Sequence, residues 1–343
     1  MTLTQINSSV WIVPNTPTTS KKLVFISWLK NDARSNLLAK HVGADLYYVK
    51  WGARKWYLAP LRYIVQSFLT WPILMREKPD VVFLQLPPIF CGPVTFLYAR
   101  LFGKQYILDT HSGSFMTKIG RATQWLHKFL SRNALVTLVH NSDIEQVVKA
   151  WDVPVLLLGY TPDDYPQGAA FEFSDKFNVV FICTFSPDEP VGEVIEAARQ
   201  LPDCHVYITG NYNRAPQHLE NKPDNVTFTG YIDHDVFIGL LRGGDALMDL
   251  TTRDNTVLMG GFEAITLDQP LITSDTPILR SYFNRGTVYV DNTAAGIAAG
   301  IREAQENLEQ LQTDIQALHT DMDAEWDRDF ATLQKLIEGE ISL

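Results

Sequence analysis

The stretch from Asp245 to Asp275, DALMDLTTRDNTVLMGGFEAITLDQPLITSD, constrains the fold of this 343-residue chain more than any other. Ala246, Leu247, Met248 and Leu250 form a short apolar run of the kind a strand buried on both faces shows. Residues 251–256 are polar, and Gly260-Gly261 opens a helical pattern carrying Phe262, Glu263, Ala264 and Ile265. After a turn at Asp268-Gln269-Pro270, a second apolar run follows at Leu271-Ile272-Thr273. Strand, loop, helix and strand in that order make a crossover between parallel strands, with the helix N-terminus at the sheet's carboxyl edge. Free N–H groups of a helix start favour phosphate oxygens, and two glycines let a ligand approach the backbone closely.

The same alternation runs through the whole chain. Residues 23–28, 46–49, 81–84, 106–109, 134–140 and 153–158 read as strands, separated by helices ending near Lys40, over Leu58 to Glu77, Pro93 to Leu101 and Asp143 to Ala150. Val81 to Ala99 is uncharged and long enough to suggest a membrane span, but Pro87-Pro88 and Gly92-Pro93 divide it into strand, turn and helix. A second set follows a Pro- and Gly-containing linker: strands at 179–183, 206–209, 226–228, 246–250, 271–273 and 288–290. Its helices lie at 189–201, 234–241, 278–283 and 294–318. The last helix, 321–341, carries Trp326, Phe330, Leu333 and Leu336 as an apolar stripe.

Two α/β domains are therefore expected, each a Rossmann-like, doubly wound parallel sheet. Residues 1–20 read as a loose N-terminal extension, 21–160 as the first domain, 161–177 as the linker, 178–320 as the second domain and 321–343 as a final helix. With 46% hydrophobic and 20% charged residues the chain has enough apolar material for two cores. Cys91, Cys183 and Cys204 lack paired spacing and suit a reducing compartment, and the N-terminal segment has neither a basic start nor an apolar core. Both point to the cytoplasm.

The net charge of −10 argues against nucleic acid, yet it hides a division: residues 1–160 hold 18 Lys+Arg and 8 Asp+Glu. The basic half interleaves charge with aromatic residues between Trp51 and Tyr63. Arg54, Lys55, Trp56 and Arg62 thus form a candidate surface for an anionic membrane or a lipid-linked phosphate, the alternative being a solvated helix face. Arg34, at a helix start, either meets an acceptor phosphate or is simply exposed. No GxSxG, GxxxxGK[ST], HExxH or CxxC pattern occurs.

Glu263-Ala264, Gln269-Pro270, Leu271-Ile272 and Ser274-Asp275 resemble the donor-binding motif of retaining GT-B glycosyltransferases, in particular glycosyltransferase family 4. The resemblance implies two domains facing a cleft, a C-terminal helix crossing back to the first domain, and a nucleotide-diphosphate sugar as donor. It implies transfer to a lipid-linked or polysaccharide acceptor by an enzyme without a cofactor, cytoplasmic or peripheral at the inner face of the membrane. By resemblance Glu263 holds the ribose hydroxyls, the Gly230-Tyr231 turn meets the base, and His111 lies under the donor sugar. The family's first motif glutamate falls on Asn255, beside Asp254. Its diphosphate-clamping Arg and Lys fall on Thr184 and Glu189, which leaves the clamp to Arg253, the N–H groups of Gly260 and Gly261, and the more distant Arg280. Asp188 and Glu189 either recruit a divalent cation or serve as helix-dipole partners. The departures keep two other readings open: a non-catalytic nucleotide-sugar-binding subunit or sensor, and a GT-B epimerase or phosphorylase.

Overall fold

The structure is a computed structural model that describes residues 4–7, 9–29, 32–52, 56–219, 222–254 and 256–343. Arg54, Lys55 and Asn255, and the side chain of Trp56, lie outside the described residues. The chain divides into two compact units, residues 1–162 with 325–343, and residues 163–324.

Unit 1 runs β1 (Thr4–Asn7), β2 (Val10–Val13), β3 (Leu23–Ser27), α1 (Ala33–Val42), β4 (Asp45–Val49), α2 (Ala59–Glu77), β5 (Val81–Leu86), α3 (Cys91–Phe102), β6 (Gln105–Thr110), α4 (Gly113–Met116), α5 (Lys118–Ala122), α6 (Gln124–Ser131), β7 (Val136–Val139), α7 (Ser142–Lys149) and β8 (Val155–Leu157). Its sheet has the order β1-β2-β4-β3-β5-β6-β7-β8 and is parallel from β4 to β8. β3 to β7 are buried on both faces, as their apolar runs require, and α2, α3 and α6 cover one face through Ile73, Leu74, Cys91, Tyr98, Ala99 and Leu130.

The expected loose extension is not loose. β1 and β2 pair antiparallel and β2 lies antiparallel to β4, so residues 4–7 and 10–13 complete the sheet edge. Val10 and Val13 are buried there, and this burial of a β-branched run outweighs the entropy of a free end.

Unit 2 runs β9 (Phe177–Phe181), α8 (Val191–Arg199), β10 (Cys204–Thr209), β11 (Val226–Gly230), α9 (His234–Gly243), β12 (Ala246–Asp249), α10 (Met259–Thr266), β13 (Leu271–Ser274), α11 (Pro277–Tyr282), β14 (Thr287–Val290), α12 (Ala294–Glu306) and the first part of α13 (Leu308–Glu338). All its strand pairs are parallel in the order β11-β10-β9-β12-β13-β14. The strand order reverses between β9 and β12, so the loops after these two strands diverge at the carboxyl edge, where doubly wound sheets bind ligands.

Two boundaries differ from the sequence reading. Residues 161–174 have no regular structure, yet from residue 163 they are packed into unit 2: Ala169 N–H donates to Asp235 O, Arg242 donates to the carbonyls of Tyr165 and Pro166, and Phe171 and Phe173 meet Tyr207 edge-on. The helical stretch of residues 294–338 breaks at Asn307, a C-cap at φ −113°, and then continues unbroken past residue 320.

Candidate active site

In unit 2 the carboxyl edge of the sheet carries two loops tied to each other. The loop after β12 is held by Ser274 and Asn292: Thr251 N–H donates to Ser274 Oγ at 2.9 Å, Ser274 donates to Asn292 Oδ1 at 2.8 Å, and Asn292 Nδ2 donates to Thr251 O at 2.9 Å. Asp188, from the loop after β9, joins it by accepting from Thr251 Oγ1 at 2.9 Å through its side chain and from Thr252 N–H at 2.8 Å through its backbone. Arg253 pairs with Asp188 at 2.9 Å while its side chain stays 61% exposed.

The two glycines serve the protein's own packing. Gly260 N–H donates to Asp249 Oδ2 at 2.8 Å, and a Cβ on Gly260 would lie 2.5 Å from that oxygen. A Cβ on Gly261 would meet the Phe283 ring at 2.3–2.8 Å. The Gly260 N–H expected for a phosphate is thus taken by a buried carboxylate of the chain itself. Burial first, and then the neighbouring Glu263, Glu189 and Asp188, push the Asp249 carboxyl well above its ordinary range, against the pull of the Gly260 N–H.

Glu189 closes the other loop. Its carboxylate accepts from Thr184 N–H at 3.0 Å, Thr184 Oγ1 at 2.9 Å and Ser186 N–H at 2.7 Å. Neither the divalent-cation role nor the simple helix-dipole role fits this arrangement, because Glu189 binds loop N–H groups and Asp188 binds the opposite loop; among the described residues no acid or His cluster has a metal-holding arrangement. Arg214 stands beside the same loop, donating to Thr184 O at 3.1 Å. Arg280 is engaged with Asp275, at 2.5 and 2.9 Å, and lies over the Tyr289 ring at 4.1 Å.

Glu263 sits in the second turn of α10. Its Oε2 is shielded from solvent and has no hydrogen-bond partner among the described residues. Burial, with a smaller contribution from Asp163, raises its carboxyl from 4.5 to about 7. Asp254 is exposed, and Tyr231 is 82% exposed at the end of β11, the edge strand that β10 separates from β9.

In unit 1 the carboxyl edge carries Asp109 at the end of β6, fully buried. One of its oxygens faces Arg34 Nε at 3.1 Å and the other faces His111 Nε2 at 3.2 Å. Burial alone would raise this carboxyl; Arg34 and His111 outweigh it and hold it well below the usual range. Arg34 also donates to Leu158 O at 2.6 Å and Gly159 O at 3.1 Å, so it is neither exposed nor free for an acceptor phosphate: it braces the edge. His140 stands with its ring centre 5.7 Å from that of His111, and burial pushes it down to about 4. Arg62 lies over the Tyr63 ring at 5.2 Å.

Asp249, Glu189 as a loop closure, Arg214 and Asp109 escaped the sequence reading. Only Asp109 and Asp249 left a signal there, as carboxylates ending an apolar run.

No family model matches the sequence, and no curated protein sequence matches it. Solved structures do. Anabaena HepE, solved with UDP-glucose, is 11% identical over 92% of this chain and 100% of its own, with a TM-score of 0.63. Sucrose-phosphate synthase of Thermosynechococcus elongatus is 15% identical over 92% of this chain and 88% of its own, with a TM-score of 0.59. The fold is GT-B. A putative UDP-N-acetylglucosamine 2-epimerase from Listeria monocytogenes shares it, at 12% identity over 93% of this chain and 97% of its own, with a TM-score of 0.65.

Proposed function

We propose that this GT-B protein is a glycosyltransferase that binds a nucleotide-diphosphate sugar at the carboxyl edge of unit 2 and transfers the sugar to a hydroxyl of a lipid-linked or glycan acceptor. The observation that carries the reading is Glu263 Oε2, shielded and unpartnered beside the strand-order reversal. A carboxylate so placed gains most from accepting a pair of hydroxyl hydrogen bonds, as vicinal ribose hydroxyls offer. Support comes from HepE, a fold relative solved with UDP-glucose. The resemblance to family 4 adds retention of configuration: the acceptor oxygen attacks C1, the bond from C1 to the diphosphate oxygen breaks, and the leaving phosphate takes the acceptor proton. Arg253 and Arg214 are the cations nearest the loops that would meet the diphosphate; within unit 1, Asp109 orients His111, the residue that the family resemblance assigns to the donor sugar. The enzyme would work in the cytoplasm, peripheral at the inner face of an anionic membrane.

One observation favours a second reading. Glu189 takes the loop N–H groups that a phosphate would use, which suits a subunit that binds a nucleotide sugar without turning it over. Incubation with a panel of nucleotide sugars and candidate acceptors separates the readings. Nucleotide release with a glycosylated product supports transfer, an altered free nucleotide sugar supports epimerisation, and binding with no product supports the sensor. Glu263→Ala is expected to weaken nucleotide affinity by ~2 kcal/mol, about thirtyfold. Unchanged affinity in a folded variant takes Glu263 out of the site.

A further inference from the structure

The helical layer of unit 1 is apolar on its outer side as well as on the side that faces the sheet. On α2 the residues facing the sheet include Gln66 and Thr70, which are buried and hydrogen-bonded, Gln66 Nε2 to Val49 O at 2.7 Å and Trp28 Nε1 to Thr70 Oγ1 at 3.0 Å. The outward stripe at helical spacing is Leu61, Ile64, Phe68 and Met75, all exposed, with Phe68 at 75%. α3 repeats the pattern with Leu97 and Leu101, and α6 with Trp125, at 71% exposure, and Phe129. Phe129 meets Phe96 of α3 edge-on at 5.1 Å, so the stripes belong to one continuous layer. Scattered apolar residues need no explanation, but three adjacent helices with apolar outer stripes mark a surface that is covered in use.

Between the start of α2, the start of α3 and α5 this layer opens into a groove of about 840 Å³, lined by Pro60, Tyr63, Ile64, Phe90, Pro93 and Ile119 among others. The charge around it has one sign. Helices α2 to α6 carry Arg62, Arg76, Arg100, Lys118, Arg121 and Lys128 against a single acid, Glu77, which is paired with Lys22 at 2.8 Å and Arg76 at 2.7 Å. A second copy of this face would meet it with like charge, whereas an anionic lipid surface complements both its apolar stripes and its basic residues. No helix among the described residues is long and apolar enough to cross a membrane, so the layer would lie on the bilayer rather than through it.

We propose that the outer face of α2, α3 and α6 docks on an anionic phospholipid bilayer, with one acyl chain of a phospholipid seated in the groove between α2, α3 and α5. This deepens the acceptor side of the proposed function and rests on it only in placing the enzyme at a membrane; donor binding in unit 2 is a separate matter. The test uses vesicles of phosphatidylcholine with and without phosphatidylglycerol at low ionic strength, where charge is least screened. The full chain is expected to sediment with the anionic vesicles and not with the neutral ones. Replacing Phe68 and Leu101 together by Ser is expected to weaken partitioning about tenfold or more, since two exposed side chains lose their lipid contacts. Arg121→Gln with Lys128→Gln is expected to weaken it about tenfold as well, and only at low salt.

For the groove, Ile119→Trp is read with phospholipid brominated along its chains. Extra quenching over the wild type supports a seated chain, and its absence in a variant that still sediments overturns the groove assignment. Failure of the folded wild type to sediment overturns the docking surface. So does a concentration-dependent dimer in ultracentrifugation that the Phe68→Ser, Leu101→Ser variant abolishes, because the face then belongs to a second copy. Nucleotide-sugar binding measured on the same variants is expected to stay unchanged, which keeps a failed docking surface distinct from a failed donor site.

Discussion

Glu263 links stability to pH in a direction opposite to that of a surface carboxylate. Its carboxyl is raised from 4.5 to about 7 in the fold, so between these values the native chain holds a proton that the unfolded chain has lost. Its contribution to stability therefore falls as pH rises above 4.5, and the loss is complete above about 7, costing on the order of 3 kcal/mol. Glu263→Gln removes the effect: the variant should melt close to wild type at pH about 5 and several degrees higher at pH about 8. A difference independent of pH would mean that Glu263 is ionised throughout. Glu189 gives a second residue-level expectation. Glu189→Ala frees the N–H groups of Thr184 and Ser186, so phosphate-bearing nucleotides should bind several-fold tighter, by ~1 kcal/mol, while nucleosides are unaffected, as a calorimetric titration would read. The place of Glu263 on a helix between two strands was legible in the sequence because that pattern is local, running from the helix start to the next strand. Glu189 and Arg214 were not, since their roles depend on contacts between loops whose conformations no residue pattern specifies.

At the scale of elements, the strand–loop–helix–strand unit from β12 to β13 was legible, and the purpose of its glycines was not. Gly260 and Gly261 read as room for a ligand, whereas the space beside them is filled by Asp249 and Phe283. A Gly→Ala change inside a helix gains up to ~1 kcal/mol of propensity, but a Cβ 2.3 Å from a buried ring forces repacking that costs ~1–3 kcal/mol. Gly261→Ala should therefore lower the melting temperature, and an unchanged or higher value would show that Phe283 yields freely. The N-terminal hairpin was missed for another reason. Val10–Val13 is a four-residue apolar run without a helix before it, and its strand status comes from pairing with β4, a partner more than thirty residues away.

For the whole molecule, the twelve parallel strands found among the described residues were foreshadowed by apolar runs alternating with helical patterns, while the strand orders came only with the structure. Unit 1 is completed by residues 325–343, where Trp326, Leu333, Leu336 and Ile337 are buried and Trp326 meets the His41 ring at 5.0 Å. Ending the chain at Ala324 should thus expose α1 amides to hydrogen exchange while those of β9 and β12 keep their protection; equal loss in both units would show that they unfold as one. The donor side is the centre of the account, and one titration addresses it most directly: a nucleotide-diphosphate sugar into wild type and Glu263→Gln at pH about 6 and about 8. Hydroxyl groups donate to the ionised carboxylate, so binding favours loss of the Glu263 proton, and wild-type affinity should rise severalfold to about tenfold across that interval. The Gln variant should bind more weakly and without that rise. Equal affinity and equal pH dependence in the two folded proteins would contradict the assignment of the donor to Glu263.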